Sequence, residues 1–160
     1  MKIDPDRDIV IERLLKAPPA LVWRCWAEPA LFCQWYLPRP WFVAEAVLDL
    51  RPGGRFFMAA SGPDGPTVSN EGSFLEVVPE RKLVFTDLFA EDYAPIETPG
   101  ADFGPNFTAI LTFAPEGTGT RHVCIARHRS VGDAKANREM GFDEGWKVTA
   151  DQLDELARTL

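Results

Sequence analysis

The longest regular pattern in the chain lies at its C-terminal end. Phe142, Trp146, Thr149, Leu153, Leu156 and Leu160 recur at alternating spacings of four and three, which is one stripe of an amphipathic helix. The opposite side carries Lys147, Asp151, Asp154, Glu155 and Arg158. With Asp133 as N-cap, the pattern predicts a helix from about Asp133 to Arg158, roughly 39 Å long at 1.5 Å per residue. A one-sided apolar stripe of that length needs a broad surface to lie on.

The rest of the chain supplies such a surface, because its period is mostly two. Asp8 to Leu15 predicts a strand, with Ile9 and Ile11 on one face and Val10 and Leu14 on the other; both faces are partly apolar, so its inward side stays open. Ala17-Pro18-Pro19 ends it, and two short helices follow, Ala20 to Ala27 and Pro29 to about Trp35, each with proline suited to a first turn. Strands are then predicted over Phe42 to Leu50, Arg55 to Ala60, Val68 to Val78 with a bend near Gly72, and Lys82 to Phe89. Arg51-Pro52-Gly53-Gly54, Ser61 to Pro66 and Pro79-Glu80 separate them as turns. Ala90 to Pro105 is a long polar loop, and loops of that length are commonly functional. Two last strands, Asn106 to Phe113 and Thr120 to Arg129, form a hairpin through Pro115-Glu116-Gly117-Thr118-Gly119. The fold class is α+β: a curved antiparallel sheet closed on one face by the terminal helix.

Gly141 and Gly145 lie on one side of that helix. Each costs about 0.5–1 kcal/mol of helix stability relative to alanine. Two readings remain open: close packing or a kink, and room left for a bound molecule.

Composition narrows the function. The chain has 160 residues, enough for one domain over 1–160 with a substantial core. A net charge of −7 with no long basic run argues against nucleic acid and against a charged membrane surface as partners. No apolar run approaches a membrane span, and Met1 to Asp8 is unlike a secretory signal. Cys25, Cys33 and Cys124 form no paired framework and no C-x-x-C, so they are expected as free thiols in a reducing cytoplasm. With two histidines and these spacings no zinc site is expected, nor any other metal or cofactor. Glu97 and Asp102, in the long loop, lack the dense spacing of a calcium loop.

Candidate chemistry is sparse. His122, Cys124 and His128 share one face of a strand, with His122 and Cys124 roughly 6–7 Å apart. That is a conceivable nucleophile and base, or simply a face with a buried thiol. Asp87 follows Leu83-Val84-Phe85-Thr86 and shares a face with Leu83, Phe85 and Phe89. A carboxylate there needs a partner, and Arg127 and His128 are the candidates. Asp87 is then an ion-pair member, an anchor for a ligand, a base, or a residue exposed to solvent at a strand end. Five tryptophans and eleven phenylalanines are many. Trp35, Phe57, Phe85, Phe142 and Trp146 are the expected lining of a cavity, unless they fill it. Trp35-Tyr36-Leu37-Pro38-Arg39-Pro40-Trp41 reads as either the cavity mouth or a homodimer contact.

An ordered set of short matches runs over nearly the whole chain. It comprises Ala17-Pro18-Pro19 with Val22-Trp23, Pro29, Trp35, Leu50-Arg51-Pro52-Gly53-Gly54-Arg55-Phe56, Glu71-Gly72, Leu83-Val84-Phe85-Thr86, Gly119-Thr120, and Gly141-Phe142-Asp143-Glu144-Gly145-Trp146. In these residues the sequence resembles the SRPBCC (START-like) superfamily, in the branch related to the activator of the 90-kDa heat-shock-protein ATPase. The resemblance implies the helix-grip fold, a seven-stranded antiparallel sheet curled around a long C-terminal helix, with an apolar cavity between them. Its members bind lipids, hormones or polyketides, and a minority are cyclases or hydrolases. The activator itself carries a further N-terminal domain for its chaperone, for which 160 residues leave no room. The leading expectation is a module binding a small apolar or aromatic molecule, with Asp87 and His128 as polar anchors. An enzyme using the same cavity and a chaperone-interacting protein are the alternatives.

Overall fold

Alternation along the first strand decides which way it faces. Ile9 and Ile11 are buried while Val10 and Leu14 are exposed, because the strand lies at a sheet edge with its other face turned to water. In the computed structural model, which describes residues 1–97 and 104–160, this strand is β1 (Asp8–Leu15). It is followed by α1 (Pro19–Ala27), α2 (Pro29–Phe32), β2 (Phe42–Leu48), β3 (Arg55–Gly62), β4 (Gly65–Val78) and β5 (Lys82–Thr86). Two-residue strands β6 (Phe89–Ala90) and β7 (Ala94–Pro95) precede β8 (Phe107–Glu116), β9 (Gly119–His128), α3 (Val131–Glu139) and α4 (Phe142–Ala157). Seven strands form one antiparallel sheet in the order β1-β9-β8-β5-β4-β3-β2. The curved sheet and terminal helix of the helix-grip fold are therefore present.

The loop expected from Ala90 to Pro105 begins with structure of its own, the β6–β7 hairpin. Residues 98–103 of that loop, Asp102 among them, lie outside the described residues.

The terminal helix differs from expectation in two ways. It begins earlier, because Ser130 rather than Asp133 is the N-cap: the Ser130 side chain accepts the backbone N–H of Asp133 at 3.1 Å. It is also two helices. Gly141 adopts φ +85°, the left-handed region, and separates α3 from α4. A residue there ends one helix and re-aims the next. The 16 residues of α4 span about 24 Å.

The apolar stripe survives the break. Leu153 is fully buried, Thr149 nearly so, and Phe142, Trp146 and Leu156 are half-buried, whereas Leu160 at the end is exposed. Burying a side chain such as Leu153 stabilises by about 1.5–3 kcal/mol. Polar bonds fix the helix in place. The Asp154 carboxylate, expected on the solvated side, accepts the backbone N–H groups of Lys16 and Ala17, both at 3.0 Å. Asp151 pairs with Arg13 of β1.

Under α1, α2 and α4 lies an aromatic core. Trp26 meets Trp35 edge-on at 4.7 Å, and Phe56 stacks on Phe85 at 4.5 Å. A second apolar cluster, Val84, Ile110 and Ile125, occupies the opposite face of the sheet, with Leu75 and Val123 beside it.

Candidate functional site

The segment between α2 and β2 is held against α4 by one side chain. Gln152 is buried. Its amide donates to the carbonyls of Trp35 (2.9 Å) and Leu37 (2.8 Å), and its oxygen accepts the N–H of Arg39 (3.0 Å). These three bonds shape a stretch that has no regular structure. They set Tyr36, Leu37 and Pro38 as one wall of a cavity of about 190 Å³. The helix provides Phe142, Gly145, Trp146 and Thr149; the sheet provides Met58, Asn70 and Phe107; Asp87, just past β5, also lines it.

Four of the residues lining the wall, Tyr36, Phe107, Phe142 and Trp146, are aromatic. Phe107 meets Phe142 at 5.2 Å, Phe142 meets Trp146 at 5.8 Å, and Trp146 meets Tyr36 at 6.3 Å, so four rings run in sequence along it. A methyl group added at Gly145 would meet nothing within 4 Å. This glycine leaves space; it does not allow close packing.

Among the described residues, the Tyr36 hydroxyl, the Asn70 amide and one oxygen of Asp87 have no hydrogen-bond partner. The other Asp87 oxygen accepts the N–H of Phe107 at 3.2 Å, and the Asp87 carbonyl accepts from Asn106 at 3.2 Å. Burial raises the Asp87 carboxyl above the usual range, against the opposing pull of the bonds from Asn106 and Phe107 and of nearby His128. Burial also raises the Tyr36 hydroxyl, and the charge of Asp87 adds to it. A neutral phenol that can donate therefore lies within electrostatic reach of an acidic group.

Of the residues expected to line a cavity, Phe142, Trp146 and Asp87 meet at this one. Asp87 sits just past the end of β5, on the inward side. Phe57 does not join them. It is the inward neighbours Phe56 and Met58 that are buried, and Phe57 lies on the other face under the guanidinium of Arg55, 4.5 Å from its ring centre. Consecutive aromatics gave alternation no way to choose between faces. Phe85 is buried core, stacked on Phe56. Trp35 is also core; its Nε1 donates to the Cys25 carbonyl at 2.9 Å.

The partners proposed for Asp87 are engaged elsewhere. Arg127 forks onto Asp8 at 2.9 and 2.7 Å. His128 is buried with Nδ1 bonded to the Arg7 carbonyl (3.1 Å) and Nε2 to the Asn137 amide (2.7 Å). It backs the Phe107 and Phe142 rings and does not line the cavity. The missed wall residues Tyr36, Leu37 and Pro38 lay in the tract read as a mouth. Asn70 and Gln152 carried no sequence signal, since each is polar in a polar context.

His122 and Cys124 border a separate void of about 10 Å³ beside Trp26. Burial pushes the His122 imidazole down to about 4 and the Cys124 thiol far up. The histidine is neutral and the thiol un-ionised, so the pair lacks an activated nucleophile. The indole N–H of Trp26 is buried there with no partner. A wider hollow of about 510 Å³ near the N-terminus has charged walls, but Arg7 and Arg127 there are paired with Asp4 and Asp8. Among the described residues no three His, Cys, Asp or Glu side chains gather as a metal site requires, and no helix is long and apolar enough to cross a membrane.

A sheet gripping a helix, with an aromatic cavity between, defines the class as a helix-grip domain. Residues 16–158 match the family described as Activator of Hsp90 ATPase homolog 1-like protein, and the chain belongs to that family. A crystal structure of a Nitrosomonas europaea protein is similar, with 38% identity, TM-score 0.90, and 98% of this chain and 97% of that chain covered. One from Mycobacterium smegmatis has 26% identity and TM-score 0.76, covering 97% and 93%. The AHSA1-like protein of Aeromonas hydrophila, at 21% identity and TM-score 0.70 over 95% and 92%, shares the fold. No curated protein matches the sequence.

Proposed function

We propose that residues 1–160 act as one binding domain that holds a small, largely apolar molecule between α4 and the sheet. The observation carrying this reading is the cavity of about 190 Å³ lined by four aromatic rings and by the polar groups of Tyr36, Asn70 and Asp87. Apolar walls with a few convergent polar groups are the usual make-up of a ligand site. A cavity of about 150 Å³ accommodates benzene, so the expected ligand has one ring and a short chain, or a comparable aliphatic body. Turnover has less support, since among the described residues Asp87 is the one carboxylate on the wall and no activated nucleophile lines it. The free cysteines fit a cytoplasmic setting.

Native mass spectrometry and thermal-shift measurements with a panel of small aromatic and aliphatic compounds test the proposal. At least one should bind at one-to-one stoichiometry and lose affinity in Gly145→Leu, which fills the cavity from the helix side. Binding unaffected by that substitution would move the site elsewhere.

A further inference from the structure

Resting on the cavity reading, we propose that the site selects an amine or ammonium group carried on a small apolar body, in preference to the matching alcohol and against the matching carboxylate. Three observations combine. Among the described residues the wall has one carboxylate, Asp87, and no lysine, arginine or histidine. The basic groups expected as partners of Asp87 are already taken: Arg127 by Asp8, and His128 by the Arg7 carbonyl and Asn137. The wall also carries the run of rings from Phe107 through Phe142 and Trp146 to Tyr36.

Aromatic faces carry negative electrostatic potential, so a desolvated cation among several rings is attracted by each of them. The half-buried Asp87 carboxylate beside Phe107 adds an opposite charge. An ammonium held there would bond to the free oxygen of Asp87 and lie over the rings. It would also relieve the burial that disfavours the charged form of Asp87. An anionic ligand meets the reverse: a like charge, no counter-cation, and ring faces of the wrong sign. The neutral alcohol keeps one hydrogen bond and gains nothing from the rings beyond contact. The volume limits the body to about one ring with a short chain.

Isothermal titration with 2-phenylethylamine, 2-phenylethanol and phenylacetate tests this, at 150 mM salt so that the net charge of −7 does not draw cations to the surface. The amine should bind about tenfold or more tightly than the alcohol, and phenylacetate more weakly than either. Asp87→Asn should bring the amine to within about threefold of the alcohol while leaving the alcohol within about threefold of its wild-type affinity. Gly145→Leu should weaken the amine and the alcohol. An alcohol equal to or better than the amine, or a preferred phenylacetate, overturns the selection while leaving the cavity reading standing. An amine preference that persists in Asp87→Asn, or amine binding undiminished in Gly145→Leu, overturns it too. Failure of all three probes to bind wild type overturns the cavity reading and this inference together. Should Asp87→Asn not fold, the wild-type ranking alone decides.

Discussion

One substitution made at two glycines separates space from backbone geometry. Gly145 lies inside α4, and a methyl group built on it meets nothing within 4 Å. Gly145→Ala should therefore gain the helix-propensity difference without a clash, about 0.5–1 kcal/mol. For a chain of this length that is a rise in melting temperature of about 1–4 °C. At Gly141 a methyl group also meets nothing, but φ is +85°. Gly141→Ala should lose about 1–2 kcal/mol through the left-handed backbone alone. The signs are opposite although the chemistry and the free space are the same. Urea denaturation, read as a shift of midpoint at constant slope, measures both. A destabilising Gly145→Ala would mean that the helix packs closely where the cavity is described, and the space would not exist. A neutral or stabilising Gly141→Ala would mean that α3 and α4 form one continuous helix.

Three further outcomes follow from the geometry. His122 is held neutral by burial, with its imidazole near 4 against a reference of 6.5. A depressed folded value means that its contribution is present above pH 6.5 and is lost as the pH falls toward 4, about 3 kcal/mol in all. An NMR titration placing its midpoint near 6.5 would refute that. Asp8, whose side chain is fully buried, holds Arg127 and the N–H of Asp4. Asp8→Ala should cost about 2–3 kcal/mol in thermal denaturation, less than a wholly buried pair because Arg127 is about one-third exposed; a loss under about 0.5 kcal/mol would contradict the role given to it. The Tyr36 hydroxyl has no partner among the described residues, so Tyr36→Phe should change stability by less than about 0.5 kcal/mol while altering the affinity of any ligand that contacts it; a loss near the usual worth of a hydrogen bond, about 1 kcal/mol, would show that the hydroxyl is bonded within the protein.

Much of the architecture was legible because its causes are local. The strand from Asp8 to Leu15 and the hairpin through Gly117 follow from a period of two interrupted by turn residues. The α4 stripe follows from 3.6 residues per turn. The helix break was less legible: Gly141 was conspicuous, but whether a glycine kinks a helix or thins it depends on what lies beside it. Phe57 failed for another reason. Phe56 and Phe57 are consecutive aromatics, so alternation alone could not say which of the two faces inward.

The sequence by itself determined the α+β class, the order of the main strands, the terminal amphipathic helix and three cavity residues, Asp87, Phe142 and Trp146. Periodicity, turn chemistry and an isolated carboxylate in an apolar run are properties of neighbouring residues. Only the tertiary structure decided that Arg127 belongs to Asp8, that Gln152 holds the backbone of Trp35, Leu37 and Arg39, and that Tyr36 and Asn70 face the same space. Those partners are separated by up to 119 positions in the chain. Which polar group answers which is settled by how sheet and helix close around each other, and no local spacing encodes that.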